Sequence, residues 1–226
     1  MGVWSAENAT KAYLKTMKMF GVIDNELNVQ GKGAKQPDVA EFISALAAGN
    51  TARLILVACA AAEADSTTRA LVAAAQQTGG RVVSVLSSAD ELRSCRTFLG
   101  EDDAKHVEFI LGDVEALLRN QYREADCVVV DCNLKNSEAI LETARRVGKP
   151  GAMVLGYNAL CMAASSSRRC QGLLNDAHLL PIGEGVLVAR RGGSAGKSKS
   201  RWIVTVDEAT GEEHVFRVRS SSRHGN

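Results

Sequence analysis

The sequence predicts a doubly wound α/β fold, in which helices cover both faces of a mostly parallel sheet. From Arg53 onward, short apolar runs alternate with stretches of helical periodicity. The runs are rich in Val, Ile and Leu, which is typical of strands buried on both faces. They are LILVAC (54–59), RVVSVL (81–86), VEFIL (107–111), CVVVD (127–131) and AMVLGY (152–157).

Helical patterns precede and separate these strands. Ser5 can cap the first of two N-terminal helices, and the second ends at Gly49. The apolar positions of the first helix are Ala9, Tyr13, Met17 and Phe20, which recur at steps of three and four. Further helices are predicted at 67–78, 89–98, 113–120, 137–147 and 165–175. Helices between successive strands are the connections that a parallel sheet requires.

The last part of the chain predicts two hairpins. HLLPIGEGVLVARR contains two apolar runs around a turn, so the sheet reaches seven strands and finishes with an antiparallel edge strand. Residues 1–191 are expected to form one domain, followed by a flexible linker at 192–200. RWIVTV and HVFRV predict a C-terminal hairpin within 201–226. An isolated hairpin is marginally stable, so it must dock on something, and a homodimer is one option.

The composition favours small or neutral ligands. The chain has 27 basic and 26 acidic residues and a formal net charge of +1, so no global field attracts nucleic acid or an anionic membrane. No stretch approaches the roughly 18 consecutive apolar residues of a membrane span. The six cysteines are dispersed, without C-x-x-C spacing. We therefore expect a cytoplasmic protein with reduced thiols and a small-molecule ligand, and no binding to nucleic acid or membranes.

Four segments between roughly residues 105 and 191 carry a family resemblance. They are VEFILGDVEALL, DCVVVDCNLKN, KPGAMVLGYNAL and LLPIGEGVLVARR. In this order they resemble motifs of the cation-dependent O-methyltransferases that act on catechols and caffeoyl-CoA. The resemblance implies a methyltransferase-type Rossmann sheet and S-adenosylmethionine as the cofactor.

A second resemblance spans nearly the whole chain. WSAENATKAYL, ALAAGNTARLI, TGGRVVSV and RWIVTVDEATGEEHVF are similar to an uncharacterised plant family described as methyltransferase-like. This similarity implies the same fold and superfamily without specifying a reaction.

Three loops should meet where the strand order reverses, at 58–66, 86–90 and 131–136. The resemblance implies glycines in the first loop, so that the cofactor can approach the backbone, and an acid in the second for its ribose hydroxyls. This chain has CAAAEAD and Ser87 there instead. The candidate cofactor-binding residues are Cys59, Ala60, Glu63, Asp65, Ser66, Ser87 and Asp113. For Asp65, Ser66 and Asp113 the alternative is helix capping.

Asp131 is the main candidate for catalysis. It ends an apolar strand at the ligand-facing edge, where a carboxylate needs a polar partner or a metal. In the cation-dependent enzymes the matching acid binds a metal together with a later Asp-Asn pair, of which GYNAL retains only Asn158. One carboxylate and one amide would hold Mg²⁺ weakly, so no metal dependence is expected.

Without a metal, Asp131 would orient a substrate hydroxyl or act as a general base. The structural alternative is that it caps the next helix or pairs with Lys135. Asn158 and Tyr157 complete the candidate catalytic set, because the methylated group of the relatives lies near the end of the fifth strand.

The leading hypothesis is methyl transfer from S-adenosylmethionine to a small, phenolic acceptor. Two alternatives remain open: a non-methylating member that binds a small molecule or a protein, and an isomerase or cyclase that uses the cleft without the methyl donor. Trp4 and Tyr13 either form a lid over the pocket or belong to the core face of the first helix.

Overall fold

The computed structural model of the protein describes residues 4–21, 39–59, 64–163, 172–174, 177–192, 200–206 and 213–219. The chain divides into two compact units, Met1–Arg191 and Gly192–Asn226. The first contains a seven-stranded sheet with its helices, and the second contains a two-stranded sheet.

The sheet of the first unit confirms the predicted doubly wound architecture. Its strands are β1 (Leu54–Ala58), β2 (Arg81–Leu86), β3 (Val107–Leu111), β4 (Cys127–Asp131), β5 (Met153–Tyr157), β6 (His178–Leu180) and β7 (Val186–Arg190). They are ordered β3-β2-β1-β4-β5-β7-β6. The strands from β1 to β5 pair in parallel, and every residue of β4 and β5 is buried. The apolar runs of β1, β2, β4 and β5 therefore form the interior of the sheet, as parallel pairing under two helical layers requires. The run of β3 forms an edge strand whose residues are mostly half-buried or exposed.

The antiparallel strand lies one position further inside the sheet than the sequence analysis placed it. β7 pairs antiparallel with β5 on one side and with β6 on the other, so the edge is formed by β6. β7 is mostly buried, whereas the three residues of β6 are exposed or half-buried. The more apolar strand of the hairpin takes the inner position, and a short strand is left at the edge.

Seven helices are defined within the described residues of the first unit. They are α1 (Ala6–Met19), α2 (Val39–Gly49), α3 (Ala64–Thr78), α4 (Ala89–Ala104), α5 (Val114–Arg119), α6 (Ser137–Val147) and α7 (Leu160–Ala163). Of the helix predicted at 165–175, residues 172–174 are helical and the others lie outside the described residues. No helix in the described part of the chain is long and apolar enough to cross a membrane.

The two faces of the sheet bury separate apolar layers. Val57, Val129 and Leu155 lie on the face that packs against α1, α2, α3 and α4. Leu56 and Val128 lie on the opposite face, against α5 and α6. Side chains alternate between the two faces along each strand, so the residues at the ends of β1, β4 and β5 each have a fixed face. That face decides what surrounds the candidate site.

The buried face of helix α1 shares only Ala9 with the predicted one. Its buried residues are Ala9, Ala12 and Thr16, whereas Tyr13 and Met17 are half-buried. The Thr16 hydroxyl donates to the carbonyl of Ala12 at 2.9 Å and lies 3.1 Å from the Ser44 hydroxyl of α2. Small residues let the two helices approach closely, and the hydroxyl pair satisfies the polar atoms buried between them.

Candidate functional site

The carboxyl ends of β1, β4 and β5 form the centre of the candidate site. The strand order reverses at β1, which lies between β2 and β4. Ala58 pairs with Val130 and Asp131 pairs with Tyr157, so the three strand ends are level. A crevice at this switch point is the usual ligand site of an open α/β sheet.

Asp131 is fully buried at the end of β4, with 0% of its surface exposed. Its Oδ1 atom accepts a hydrogen bond from the backbone N–H of Asn133 and another from the side-chain amide of Asn158, both at 3.0 Å. Asp131 does not cap α6, whose N-cap is Asn136. Two donors at one oxygen fix the carboxylate in place, so Asp131 holds Asn158 in position.

Asn158 is held in an uncommon backbone conformation. Its φ is 56°, in the left-handed region that few residues other than glycine and asparagine adopt. The following N–H groups of Ala159 and Leu160 donate to the carbonyls of Gly185 and Glu184, at 3.0 and 2.9 Å. The turn before β7 therefore supports the loop after β5, and Asn158 remains half-exposed while its amide contacts Asp131.

Gly185 is required where this turn approaches the loop. Its φ is 91°, and a Cβ atom there would lie 2.8 Å from the backbone nitrogen of Leu160. A side chain at this position would displace the residues next to Asn158. The glycine thus contributes to the site without contacting a ligand.

Tyr157 is buried in the apolar layer beneath the site, with 4% of its surface exposed. It is the register partner of Asp131. In the described structure it packs as a core residue beside the candidate catalytic pair, and its predicted catalytic role stays a prediction.

Cys59 lies directly after β1, on the same side of the sheet as Asp131. Burial raises the pKa of its thiol to about 12, and the charges of Cys95 and Asp131 act in the same direction. The nearby hydroxyls of Ser84 and Thr68 oppose this increase, although neither reaches full hydrogen-bond geometry with a partner. At neutral pH Cys59 is a protonated core thiol rather than a nucleophile.

The buried Ser84 hydroxyl allows a test of the polar groups around Cys59. It is 0% exposed and its hydroxyl has no hydrogen-bond partner in the described part of the chain, so its desolvation is not compensated. We expect Ser84→Ala to raise the free energy of unfolding by about 1 kcal/mol. Chemical denaturation measures the change. The matched control Ser44→Ala removes an equally buried hydroxyl that contacts Thr16 and should destabilise; a loss of stability in both variants would contradict the assignment.

The loop after β2 contains a functional candidate that the sequence analysis missed. The carboxylate of Glu91 accepts a hydrogen bond from the backbone N–H of Ser87 at 2.7 Å through Oε2, while the Ser88 hydroxyl accepts from the N–H of Glu91 at 3.2 Å. The arrangement is a variant of the capping box, because Glu91 accepts from Ser87, the residue before the N-cap Ser88, and not from the N-cap itself. It brings the Glu91 carboxylate to the end of β2, next to the exposed Ser87. In the described part of the chain, Oε1 of Glu91 has no protein partner.

The other predicted cofactor residues are placed differently. Asp113 is exposed and caps α5, accepting from the N–H groups of Glu115 at 3.3 Å and Ala116 at 3.2 Å. Asp65 and the exposed Ser66 lie within the first turn of α3, which begins at Ala64. Ala60 and Glu63 lie outside the described residues.

Trp4, one of the two residues considered for a lid, lies at the opposite end of the sheet from the candidate site. The indole packs directly on Gly49, where a Cβ atom would be 2.3 Å from the ring, and the N–H of Ser5 donates to the Gly49 carbonyl at 2.8 Å. Gly49 ends α2 just before β1 begins, which is the amino end of the strands. Trp4 therefore packs on the end of α2, away from Asp131, while 49% of its surface stays exposed.

Comparison with protein families identifies the chain. The family model described as "Protein of unknown function (DUF1442)" matches residues 1–218. The chain belongs to this family. No curated protein matches it.

Three solved structures that are similar to this DUF1442 member are methyltransferases. One from Geobacter sulfurreducens is 22% identical, with a TM-score of 0.55 over 80% of this chain and 88% of that one. The O-methyltransferase TomG of Streptomyces achromogenes, involved in tomaymycin synthesis and solved with S-adenosylmethionine, is 22% identical, with a TM-score of 0.52 over 84% and 92%. A Bacillus cereus O-methyltransferase solved with S-adenosylhomocysteine is 19% identical, with a TM-score of 0.52 over 79% and 90%. At these identities the similarity shows the fold, and the methyltransferase-like fold predicted from the sequence is confirmed.

Two further features bear on the chemistry of this family member. Among the described residues, no three His, Cys, Asp or Glu side chains are grouped so that they could hold a metal ion. The five described cysteines are free, and all but Cys161 are buried. The Cys161 thiol donates to the carbonyl of Asn158 at 3.1 Å, which places an exposed thiol at the candidate site.

Proposed function

We propose that this DUF1442 member binds S-adenosylmethionine at the carboxyl ends of β1, β2 and β4, and that it transfers the methyl group to a hydroxyl oxygen of a small, phenolic acceptor. The observation that carries the proposal is the buried Asp131, fixed by Asn133 and Asn158 at the point where the strand order reverses. Burying a carboxylate at the carboxyl end of a strand costs free energy unless the group is paired, and such groups are common at functional sites.

The residues at the end of β2 fit the ribose of such a cofactor. A ribose presents two hydroxyl donors, and the unused Oε1 of Glu91 is an acceptor held next to Ser87. Charge-assisted hydrogen bonds of this type are stronger than neutral ones. Glu91 would therefore take the role that the sequence analysis expected from an acid at Ser87.

The groups after β4 and β5 supply the positioning for the reaction. Bound there, S-adenosylmethionine would supply an electrophilic sulfonium methyl. The protein must align the acceptor oxygen with that methyl, and the proton of the phenolic hydroxyl passes to solvent water. Asn158 is half-exposed and can hydrogen-bond the acceptor, whereas Asp131 is fully buried. Asp131 thus acts through Asn158 as a positioning residue.

Calorimetry with S-adenosylmethionine and S-adenosylhomocysteine, each with and without Mg²⁺, tests the proposal. We expect binding to the intact chain, and at least about tenfold weaker binding to Glu91→Gln, which keeps an acceptor for the Ser87 N–H but loses the charge. The matched control is Asp90→Asn, because Asp90 is the neighbouring exposed acid and pairs with Arg93. An absence of binding at millimolar ligand would overturn the proposal.

Alkylation of Cys161 gives the same test a second readout. Iodoacetamide should modify this exposed thiol before the buried Cys59 and Cys127, whose pKa values burial raises to about 12. A ligand that contacts Asn158 should slow the reaction, which peptide mapping by mass spectrometry measures. Unchanged alkylation in the presence of a bound ligand would place that ligand elsewhere.

A second candidate function is binding of a small molecule without methyl transfer. This candidate is favoured because polar groups that follow β2 and β3 already serve as helix caps. Both oxygens of Asp113 and the Ser88 hydroxyl accept hydrogen bonds from backbone N–H groups. A thermal shift with phenolic metabolites, in the absence of any binding of S-adenosylmethionine, would support this candidate over the enzyme.

A further inference from the structure

The second unit contains a two-stranded antiparallel sheet. Its strands are β8 (Ser200–Val206) and β9 (Glu213–Arg219). Ile203 pairs with Phe216, and the register extends from Val206 opposite Glu213 to Ser200 opposite Arg219. In the described part of the chain, β8 and β9 have only each other as hydrogen-bonded neighbours. Two strands alone are marginally stable in water, and their unpaired backbone groups can pair with a further strand.

Apolar residues occupy both faces of this hairpin by register. The cross-strand pair Ile203–Phe216 belongs to one face, and Val204–Val215 belongs to the other. Extending the sheet by more strands would prolong both apolar rows. A partner that adds strands is therefore favoured over one that covers a single face.

The sequence of β9 is complementary to itself in an antiparallel pair. When two copies of EHVFRVR are placed around a twofold axis through Phe216, all seven residues find partners, and Phe216 lies opposite Phe216 of the second copy. Glu213 then lies opposite Arg219 of the second copy, once at each end. Aromatic pairs and opposite charges are the stabilising combinations at directly opposed positions of antiparallel strands.

We propose that the β9 edges of two copies of this chain pair to form a four-stranded antiparallel sheet and a C₂ homodimer. Its central row would be Ile203–Phe216–Phe216–Ile203. A twofold contact of this kind is closed, because each β9 edge is used once. β8 offers no equivalent self-pairing, since a twofold axis through Ile203 would bring Arg201 opposite Thr205 and leave it without an acid.

Charges at the ends of β9 separate this interface from the folding of the hairpin. Within one chain the register places Glu213 opposite Val206 and Arg219 opposite Ser200, so neither residue is directly opposite a charged residue of the other strand. Reversal of one charge therefore changes the contact between copies and places no like charges directly opposite each other within the hairpin. Circular dichroism checks that each variant folds like the unaltered chain.

Light scattering and sedimentation of the full chain over a concentration series test the proposal. We expect a dimer whose dissociation constant rises at least about tenfold in Glu213→Arg and in Arg219→Glu, because each places like charges opposite each other twice. An equimolar mixture of the two variants should recover a heterodimer, detectable by native mass spectrometry, because each basic end then faces an acidic one. Arg201→Glu on β8 is the control and should leave the dimer intact. A monomeric unaltered chain, or a mixture that remains monomeric, would overturn the proposal.

Discussion

Replacing Asp126 by alanine is expected to lower the free energy of unfolding by about 3 kcal/mol at neutral pH. The Asp126 carboxylate accepts hydrogen bonds through Oδ2 from the N–H groups of Arg53 and Leu54, both at 2.9 Å, and its Oδ1 pairs with Lys149. It thereby joins the start of β1 to the start of β4 at the amino end of the sheet. Alanine would leave two N–H groups and an ammonium group without their acceptor, in a site where the carboxylate side chain is only 23% exposed.

The contribution of Asp126 depends on pH in a defined direction. Burial acts to raise the pKa of this carboxyl, but the hydrogen bonds and charge of Lys149 and the N–H groups of Leu54 and Arg53 outweigh it, so the pKa lies below its ordinary value of 3.8. A lowered pKa in the folded state means that the stabilisation is complete above the unfolded value and is lost as the pH falls through the folded one. The difference in stability between the unaltered chain and Asp126→Ala should therefore shrink only below about pH 4.

Two further variants sharpen the test of Asp126. Asp126→Asn keeps an oxygen acceptor for the two N–H groups but loses the charge, so we expect a smaller loss, of about 1 kcal/mol, without the acid-dependent change. Glu124→Ala removes a nearby exposed acid and should be neutral. Urea denaturation at several pH values measures all three. Equal stability of Asp126→Ala and Glu124→Ala at pH 7 would contradict the assignment.

The strands were predictable from the sequence because their apolar runs are uninterrupted. β2, β3 and β4 have the predicted bounds, and β1 and β5 differ by one residue at one end. The inner strands β1, β2, β4 and β5 are almost wholly buried, so nearly every residue in them must be apolar and the pattern has sharp limits. The inner position of β7 was missed, since pairing order within a hairpin depends on the relative burial of two short runs and not on either run alone.

The helix faces and loop contacts were harder to predict. In α1 the large apolar residues Tyr13 and Met17 suggested the buried face, yet the close approach to α2 selects Ala9, Ala12 and Thr16. A pattern of apolar residues does not assign the polar Thr16 to the buried face. Its partner Ser44 lies 28 residues away in the sequence. Only the folded structure brings the two hydroxyls together.

For the candidate site, one of the missed residues had a local signal. Ser88 and Glu91 have the S-x-x-E spacing of a capping box, which predicts that the Glu91 carboxylate folds back to the end of β2. The contact between Asp131 and Asn158 had no such signal beyond the family resemblance. It depends on the parallel pairing of β4 and β5 and on the support of the loop by Gly185.

Replacement of Asp131 is expected to separate the two roles that the sequence left open for it. As a general base, Asp131 must accept a proton, so Asp131→Asn would lower the rate of methyl transfer at least about a hundredfold while binding persists. As a positioning residue, it needs only an acceptor for the Asn133 N–H and the Asn158 amide, which asparagine retains. The complete burial of Asp131 and the two donors at Oδ1 favour the second role.

We therefore expect the dissociation constant of Asp131→Asn for S-adenosylhomocysteine to lie within about threefold of that of the unaltered chain. Asp131→Ala should bind at least about tenfold more weakly, because alanine leaves the Asn158 amide without its acceptor. Asn158→Ala should resemble Asp131→Ala, and the double variant should be little worse than either, since both changes remove the same contact. Calorimetry measures the affinities, and denaturation of the same four proteins measures the coupling even in the absence of ligand. Additive losses in the double variant would show that the two residues act independently. A hundredfold loss of methyl transfer in Asp131→Asn, with unchanged binding, would show that Asp131 acts as the general base.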